Sequence, residues 1–315
     1  MKLTIQTPYS IDYCKIELTY THRHMKKISL LLAASAIFAG ASYAEDITSE
    51  VVKKEALTVK YGETINVIGS DAKLIFDPSI PSGWEGGVQY ALEIQKGAAV
   101  NVLNGGLIDM NSVKKDFKVI RASGLLNVDS GTVRTDKITL GDSAEFILSQ
   151  ANAISASSLA ATYLTFGGGA ARAELNVSQT FVLDFRKTAS AELSIASSAV
   201  LTVATWYVHE NIADTAAPTA VVLNDFVSNS IFLADSAITA YDISDDGVLS
   251  VSYTQGTQVK RQKFSFLDKN GDIIAMKLVD GVGGKYLSTA IPEPAEWAAV
   301  FGALALGFAV CRRRR

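Results

Sequence analysis

The chemistry open to this sequence depends on a few reactive side chains, and His209 comes first among them. Residues 45–290, which we interpret as the folded body, contain no cysteine and only this histidine. The composition leaves no pair of imidazoles or thiolates for a zinc site and no Cys–His catalytic pair. His209 follows Trp206 and Tyr207 and precedes Glu210, an order that suits an aromatic sugar platform beside an acid–base pair. We interpret it as a partly exposed histidine at a strand end, because no serine motif or second titratable cluster accompanies it.

A calcium-loop pattern begins at Asp268. This residue, Asn270 and Asp272 alternate as the oxygen ligands of a calcium loop do. The sixth and twelfth positions of that loop would be Ile273 and Val279, where calcium loops need glycine and glutamate. We therefore predict a hairpin turn and no metal site.

Three further patterns are poor candidates for a site. The glycines at 167–169 precede no helix or GK[ST] motif, so we predict a turn instead of a phosphate loop. Lys260, Arg261 and Lys263 form a small basic patch, which we interpret as a solvated strand edge that resists pairing. The carboxylates are scattered and cannot be aligned on successive turns of a solenoid, as a β-helix polysaccharide-degrading enzyme would require. The sequence thus predicts no catalytic residue, no metal and no cofactor, and such an enzyme is the least favoured function.

These side chains belong to a body whose pattern is typical of β-strands. Short apolar–polar alternations recur between Gly, Asn, Asp and Ser turns, and no long helical period interrupts them. The runs are 64–68, 74–76, 99–103, 125–128, 146–148, 174–177, 191–195 and 200–203. The predicted class is all-β.

The spacing of the runs favours a β-solenoid. Five residues are taken as equivalent, and the steps between them are 26, 20, 29 and 18 residues: Val100, Leu126, Phe146, Leu175 and Leu193. A period in the twenties suits one coil of a solenoid, because inward apolar residues then stack between coils. A β-sandwich is the alternative, since its turns recur every ~8–12 residues. The repeated phrases resemble the passenger repeats of autotransporter-like surface proteins, a resemblance that favours a right-handed parallel β-solenoid over residues 45–217.

Hairpin signals follow this region. Asn270-Gly271 between two alternating runs is a strong hairpin signal. We predict a C-terminal β-meander within 218–280, which would cover the open end of the solenoid. Residues 281–290, rich in glycine, would then be a flexible linker.

The N-terminal residues are interpreted as two segments. In residues 1–24, Asp12 and Glu17 stand where an export signal needs a short basic region. We interpret this stretch as an extension upstream of the true start codon, which would be Met25.

From Met25, Lys26 and Lys27 precede an apolar segment, and Ser42 and Ala44 frame a cleavage position. This order predicts a secretory signal peptide over 25–44, cleaved after Ala44. A signal anchor is the alternative, disfavoured because the apolar segment is short and ends in a cleavable pattern.

The sequence ends in an apolar run and an arginine cluster. Residues 297–311 carry no charge and would form a helix roughly 22 Å long, short of the ~30 Å hydrocarbon core. Snorkelling arginines and local thinning of the bilayer can close that gap. We predict a transmembrane helix with its arginines on the cytoplasmic side, a buried helix of a globular domain being the alternative. The helix and stop residues are Trp297, Phe301, Leu304, Leu306, Phe308, Cys311, Arg312, Arg313, Arg314 and Arg315.

Pro292, Glu293 and Pro294 precede this helix. A Pro-Glu-Pro turn, an apolar helix and terminal arginines over residues 291–315 resemble the PEP-CTERM sorting signal of Gram-negative bacteria. The resemblance implies that a membrane protease of the exosortase type recognises and removes the tail. It also implies delivery to the cell surface or extracellular matrix, with the inner membrane as a transient anchor.

Charge and cysteine content restrict the partners. Residues 45–290 hold 20 basic and 28 acidic side chains, a net charge of −8, which argues against nucleic acid or an anionic polymer. Cys14 and Cys311 lie in segments predicted to be removed, so the mature body would have no disulfide. We therefore predict an exported structural or adhesive surface protein. The Sec translocon would carry it across the membrane, signal peptidase would remove the signal peptide, and an exosortase-like protease would remove the tail. A surface-glycan-binding module, with exopolysaccharide as a candidate ligand, is the second hypothesis.

Overall fold

Short β-strands make up nearly all of the fold, as the alternating runs predict. The computed structural model describes residues 43–77, 83–85, 88–150, 153–156, 159–186, 190–208 and 216–290. Within these ranges the only helical element is a single 3₁₀ turn at Lys115–Phe117. The all-β prediction is confirmed.

The strands are short and are numbered in chain order. They are β1 Tyr43–Ile47, β2 Glu50–Lys53, β3 Leu57–Val59, β4 Glu63–Ile68, β5 Lys73–Phe76, β6 Gly83–Glu85, β7 Val88–Tyr90, β8 Leu92–Ile94, β9 Ala99–Leu103, β10 Leu107–Asp109, β11 Val119–Ala122, β12 Leu125–Asp129, β13 Thr132–Arg134, β14 Lys137–Leu140, β15 Glu145–Ser149, β16 Ala153–Ser155, β17 Thr162–Phe166, β18 Ala171–Leu175, β19 Gln179–Phe185, β20 Ala191–Ile195, β21 Leu201–Val208, β22 Thr219–Asn224, β23 Ile231–Ala234, β24 Thr239–Ile243, β25 Leu249–Gln255, β26 Gln258–Leu267, β27 Met276–Gly281 and β28 Gly284–Thr289.

Most strands pair in parallel with a later strand of the chain. Sheet A has the parallel order β1-β4-β9-β12-β15-β18-β20-β22, sheet B the order β2-β5-β10-β13-β16, and sheet C the order β3-β8-β11-β14-β17-β19-β21-β23. Up to β17 the chain visits sheets A, B and C in turn, with the antiparallel pair β6–β7 inserted before β8. From β18 to β23 the described strands alternate between sheets A and C. One such passage is termed a coil. Long parallel sheets of this kind are compatible with a β-solenoid, whereas a sandwich of antiparallel sheets would not contain them.

Register between coils places apolar residues in inward stacks. One stack of sheet A contains Ile65, Val100, Leu126, Phe146, Ala173, Leu193 and Leu223. The spacing predicts Leu175 as the member from β18, and this prediction is wrong by two residues, because Ala173 holds that place. Both side chains are buried on the same face of the strand. The apolar pattern therefore cannot distinguish which of the two residues aligns with Phe146, and the larger one was the predicted member.

Glycine is required where the chain turns from sheet A to sheet B. A Cβ atom added to Gly106 would lie 2.2 Å from the carbonyl oxygen of Val67 in the preceding coil. A Cβ atom on Gly131 would lie 2.6 Å from Cγ1 and 2.7 Å from the carbonyl oxygen of Val102. At these corners the backbone packs closely against the neighbouring coil, which explains why small residues recur between the repeated sequence segments.

Replacing Gly131 with alanine should therefore destabilise the body. The added methyl group meets backbone that cannot move without breaking the parallel ladder, so we expect a loss of about 1–3 kcal/mol. Urea unfolding of the purified full-length chain measures it. Gly169→Ala is the matched control, because a Cβ atom there would be 3.8 Å from its nearest neighbour, Asp142 Oδ1. Equal stability of the two variants would contradict the close packing of the corner.

Antiparallel strands complete sheets A and C at the C-terminal side. In sheet A, β26 pairs in parallel with β22, and β25 and β24 follow it in antiparallel pairing. In sheet C, β28 lies antiparallel to β23, and β27 pairs with β28. The last parallel strand of each of these sheets is thus covered by the C-terminal strands.

The C-terminal boundaries differ from those predicted. Parallel pairing does not stop at residue 217, since it includes β22 and β23. The linker predicted for 281–290 is wrong, because these residues contain β28, which lies between β23 and β27. Gly283 has a φ of 77° in the turn, and a Cβ atom on Gly284 would lie 2.2 Å from the carbonyl oxygen of Leu233. The glycines here serve a tight turn and a close contact, and the pattern was mistaken for flexibility.

The hairpin predicted at Asn270-Gly271 is only partly formed. Residues 269–271 do form a turn, with Gly271 at a φ of 87°. Beyond it, Leu267 and Ile273 form a single antiparallel bridge, and the chain then crosses from sheet A into β27 of sheet C. The pairing partner of β27 is the later strand β28, a long-range choice that a local turn signal does not encode.

Most of the predicted sorting residues lie outside the described residues. These are Ser42, the whole segment 291–315 and nearly all of 25–44. Ala44 is described: it is exposed in β1 and pairs with Thr64. Over the described ranges, no helix is long and apolar enough to cross a membrane.

Candidate functional site

Outward positions of sheet A carry polar side chains that align from coil to coil. Asn66, Asn101 and Asn127 occupy one row of the sheet. Asn127 Nδ2 donates to Asn101 Oδ1 at 3.2 Å, Asn101 Nδ2 donates to Asn66 Oδ1 at 2.8 Å, and Asn66 Nδ2 donates to Asp46 Oδ1 at 2.7 Å. Asn66 and Asn101 each donate and accept, so the ladder fixes the rotamers of this part of the surface.

Further along the same face, a groove of about 550 Å³ crosses the C-terminal ends of β18, β20 and β22. We call it the sheet-A groove, and its main lining residues are Glu174, Asn176, Ser194, Asn224, Asp225 and Val227. Parallel strands bring these side chains together because residues distant in sequence share one row. Glu174 is in register with Ser194, and Ser194 with Asn224.

Hydrogen bonds hold the floor of the groove in place. Asn224 Nδ2 donates to Glu192 and also to Ser194 Oγ, the latter at 3.3 Å. Glu192 is in turn 2.7 Å from Nε of Arg172. A second set joins Asn176 Nδ2 to Glu174 Oε1 at 2.7 Å. The groove therefore presents ordered carboxylate and amide groups at a solvent-accessible surface.

These groups suit a ligand rich in hydroxyls. Carboxylates accept hydrogen bonds, and the amides and serine hydroxyls can both donate and accept. Val227, 36% exposed at the rim, adds apolar surface. In the described part of the chain, no group of three or more His, Cys, Asp or Glu side chains is placed to hold a metal ion. The arrangement can thus recognise a polar ligand by hydrogen bonds.

The aromatic side chains of the TWYVHEN segment do not form the sugar platform that their order in the sequence suits. Trp206 points into the core, is 2% exposed and has its ring centroid 4.7 Å from that of Phe264. Tyr207 has the opposite orientation, and its ring centroid lies 4.8 Å from that of Tyr253. Strand alternation separates the two adjacent aromatics, as it must for neighbours in β21. His209 and Glu210 lie outside the described residues.

Asp268 has a structural role in its turn. Its Oδ1 accepts hydrogen bonds from the backbone N–H of Asp272 at 2.9 Å and of Asn270 at 2.8 Å. These bonds, the one from Asp272 first, lower the pKa of the Asp268 carboxyl. Its Oδ1 is therefore committed to the backbone of the turn.

The other sequence patterns also lie in ordinary strands and turns. Lys260, Arg261 and Lys263 belong to β26 and pair with β25, while pairing with β22 begins only at Phe264. In the glycine run, the backbone N–H of Gly169 donates to Asp142 Oδ1 at 2.6 Å in the connection between β17 and β18.

Sheet C has buried charges on its outward positions that pattern reasoning missed. Glu93 is 6% exposed and lies 3.5 Å from Arg121, its partner one coil later. Asp184 is 2% exposed, and its Oδ2 is 3.9 Å from Nε of Arg186. Burial lowers the pKa of Lys137, an effect that the nearby Asp184 charge opposes. Only the coil register, unknown from sequence, would have revealed the pairing of Glu93 with Arg121.

Comparison with known proteins returned no matching family model, no similar curated protein and no similar solved structure. Function is therefore argued from the residues and the geometry.

Three partly buried tyrosines lie near the C-terminal strands. Burial raises the pKa of Tyr163 and Tyr253, and it raises the pKa of Tyr241 by far the most. Each phenol thus stays neutral in the folded protein at pH values where the unfolded chain ionises.

Tyr241→Phe should reduce the loss of stability at alkaline pH. A raised folded pKa contributes stability that is fully present below the unfolded pKa of about 10 and falls as pH rises above it, by about 1.4 kcal/mol per pH unit. Urea unfolding at pH 8 and pH 11 measures the difference. Tyr61→Phe, at a side chain that is 82% exposed, is the matched control. A Tyr241→Phe variant with the wild-type pH dependence would contradict this assignment.

Proposed function

We propose that this chain is an exported structural or adhesive protein of a Gram-negative cell surface or extracellular matrix. The observation that supports it best is the order of its segments: a sequence pattern typical of an export signal at 25–44, a body of stacked parallel coils, and a PEP-CTERM-like tail at 291–315. We further propose that the body is a right-handed parallel β-solenoid, because parallel crossovers are right-handed in nearly all proteins.

Such a body suits a structural role. Each coil contacts mainly its neighbours, so the chain builds an extended element with a long lateral surface. The ladder of asparagines and the sheet-A groove lie on that surface. A rigid row of polar groups favours repeated weak contacts with a matrix.

Two processing steps follow from the proposal. The Sec translocon delivers the chain, and signal peptidase cuts after Ala44, which leaves Glu45 as the first residue of a shortened β1. The tail then holds the protein in the inner membrane until an exosortase-like protease removes it. The membrane helix is thus a temporary anchor.

Cell fractionation with N-terminal sequencing tests the export step. The expected result is a protein in the surface or membrane fraction that begins at Glu45. Ala44→Leu should retain the signal peptide, since signal peptidase needs a small residue at that position, while Ala41→Leu should be processed normally. Full-length protein in the cytosol, with residues 25–44 still attached, would contradict the proposal.

Binding of surface glycans is a second candidate function, favoured by the sheet-A groove. Its carboxylates, amides and hydroxyls are held by their own hydrogen bonds before any ligand arrives. Such preorganisation reduces the entropic cost of binding.

A glycan array with the purified full-length chain tests this second function. Loss of the Asn224 amide should weaken binding roughly tenfold, because about 1–1.5 kcal/mol is lost with a hydrogen bond at the groove. The variant is Asn224→Ala, and Asn111→Ala, at an exposed turn away from the groove, is its control. Retained binding by Asn224→Ala, or no glycan bound by the wild type, would count against a lectin-like role.

A further inference from the structure

Two tyrosines from distant parts of the chain meet where the parallel coils adjoin the C-terminal strands. Tyr207 lies on β21 of sheet C and points away from the core, whereas Tyr253 lies on β25 of sheet A and packs against the margin of the core. Their ring centroids are 4.8 Å apart, and the ring planes are inclined at 64°. The contact therefore joins a parallel strand to one of the antiparallel strands that follow.

Backbone pairing holds both rings in place. Tyr207 is in register with Asp184 in the parallel ladder between β19 and β21. Tyr253 is paired on both sides, because β25 lies between β24 and β26 in antiparallel ladders. The N–H of the next residue, Thr254, also donates to the carbonyl of Ile238 at 2.7 Å. The two rings are thus neighbours in the folded protein before any reaction takes place.

Two phenols in contact can do more than pack. Edge-to-face aromatic pairs stabilise a fold, but two adjacent phenols can also be oxidised and joined through the carbons ortho to their hydroxyls. The separation of the Tyr207 and Tyr253 rings is close to that of two directly bonded rings, whereas Tyr163 lies 6.3 Å from Tyr207. Both rings of the closer pair are partly exposed, so they can turn about their broad terminal torsions into a coupling geometry.

The surroundings of the pair favour the reaction of phenols. Burial, and next the neighbouring Tyr207 phenol, raise the pKa of Tyr253, so this residue is a neutral phenol that loses a proton together with its electron. Residues 45–290 contain no cysteine. A thiol would otherwise compete for the oxidant, because cysteine is readily oxidised.

We propose that Tyr207 and Tyr253 form a cross-linking site, at which a peroxide-dependent one-electron oxidant couples the two rings into dityrosine. Each phenol gives up one electron and one proton, and the two radicals form a carbon–carbon bond between their ortho positions. The hydrogen on each ortho carbon then moves to the oxygen of its own ring, which restores both phenols. The pair loses two hydrogen atoms in all, and one molecule of peroxide is reduced to two of water.

This bond would tie β25 covalently to β21. It closes a loop over residues 207–253, and a cross-link of this kind restricts the unfolded chain as a disulfide does. A body without cysteine would gain in this way a covalent connection between its coils and its C-terminal strands. The inference goes beyond the proposed surface role and does not depend on it.

Oxidation of the purified full-length chain with hydrogen peroxide and a haem peroxidase tests the proposal. The protein is kept dilute, and the monomer is separated from any cross-linked dimer. Digestion at acidic residues then separates the two tyrosines, because Asp225 and Asp246 lie between them in the sequence. The expected product, found by mass spectrometry, is a pair of joined peptides that contain Tyr207 and Tyr253 and lack two hydrogen atoms.

The variants Tyr207→Phe and Tyr253→Phe should each abolish this product, since phenylalanine has no phenol to oxidise. Tyr61→Phe, at a side chain that is 82% exposed, is the matched control and should retain it. Tyr163→Phe should retain it as well. The wild-type chain unfolded in urea should form far less of the product, because only the fold brings the two residues together.

Three results would overturn the proposal. They are an oxidised monomer without dityrosine, a wild-type cross-link that maps to Tyr163 and Tyr207, and equal yields of the expected product from the folded and the unfolded chain. Export, processing and glycan binding do not enter the assay. Failure here would therefore leave the proposed function standing, and failure of the export test would leave this result unaffected.

Discussion

Parallel hydrogen bonding between successive coils is the constraint on which the rest of this structure depends. It requires each strand to meet its counterpart about 20 to 35 residues later in register, as Ile65 meets Val100 and Val100 meets Leu126. Once this register is set, apolar residues stack inward and their polar neighbours stack outward, because side chains alternate along a strand. The corner glycines follow from the same constraint, since neighbouring coils leave no room for a Cβ atom on Gly106 or Gly131.

The candidate sites are consequences of that register. Asn101 contacts Asn66 and Asn127 only because three coils place their outward rows in line. The sheet-A groove likewise joins residues from three strands. A protein without cysteine in its body relies on this repeated pairing for stability, and the same pairing produces a long polar surface.

The sequence allowed the all-β class and most of the repeat positions to be predicted, because alternation and small corner residues are local signals. The choice of Leu175 over Ala173 failed because both face inward, and only pairing with the neighbouring coil distinguishes them. Residues 281–290 were mistaken for a linker because glycine in a strand resembles glycine in a loop. The sheet-A groove and the Glu93–Arg121 pair are long-range features, so no local pattern identified them. The sorting signals remain predictions.

Disulfide trapping tests the central claim, that the repeated phrases are coils stacked in register, most directly. Strands pair about 4.8 Å apart, within the Cα separation of about 4.4–6.8 Å that a disulfide needs. In a chain carrying Cys14→Ser and Cys311→Ser, the double variant Asn101→Cys/Asn127→Cys should oxidise readily to an intramolecular disulfide, because these residues pair between neighbouring coils. Asn101→Cys/Ile147→Cys, two coils apart, should not. Failure of the first pair, or equal cross-linking of both, would contradict the stacked arrangement.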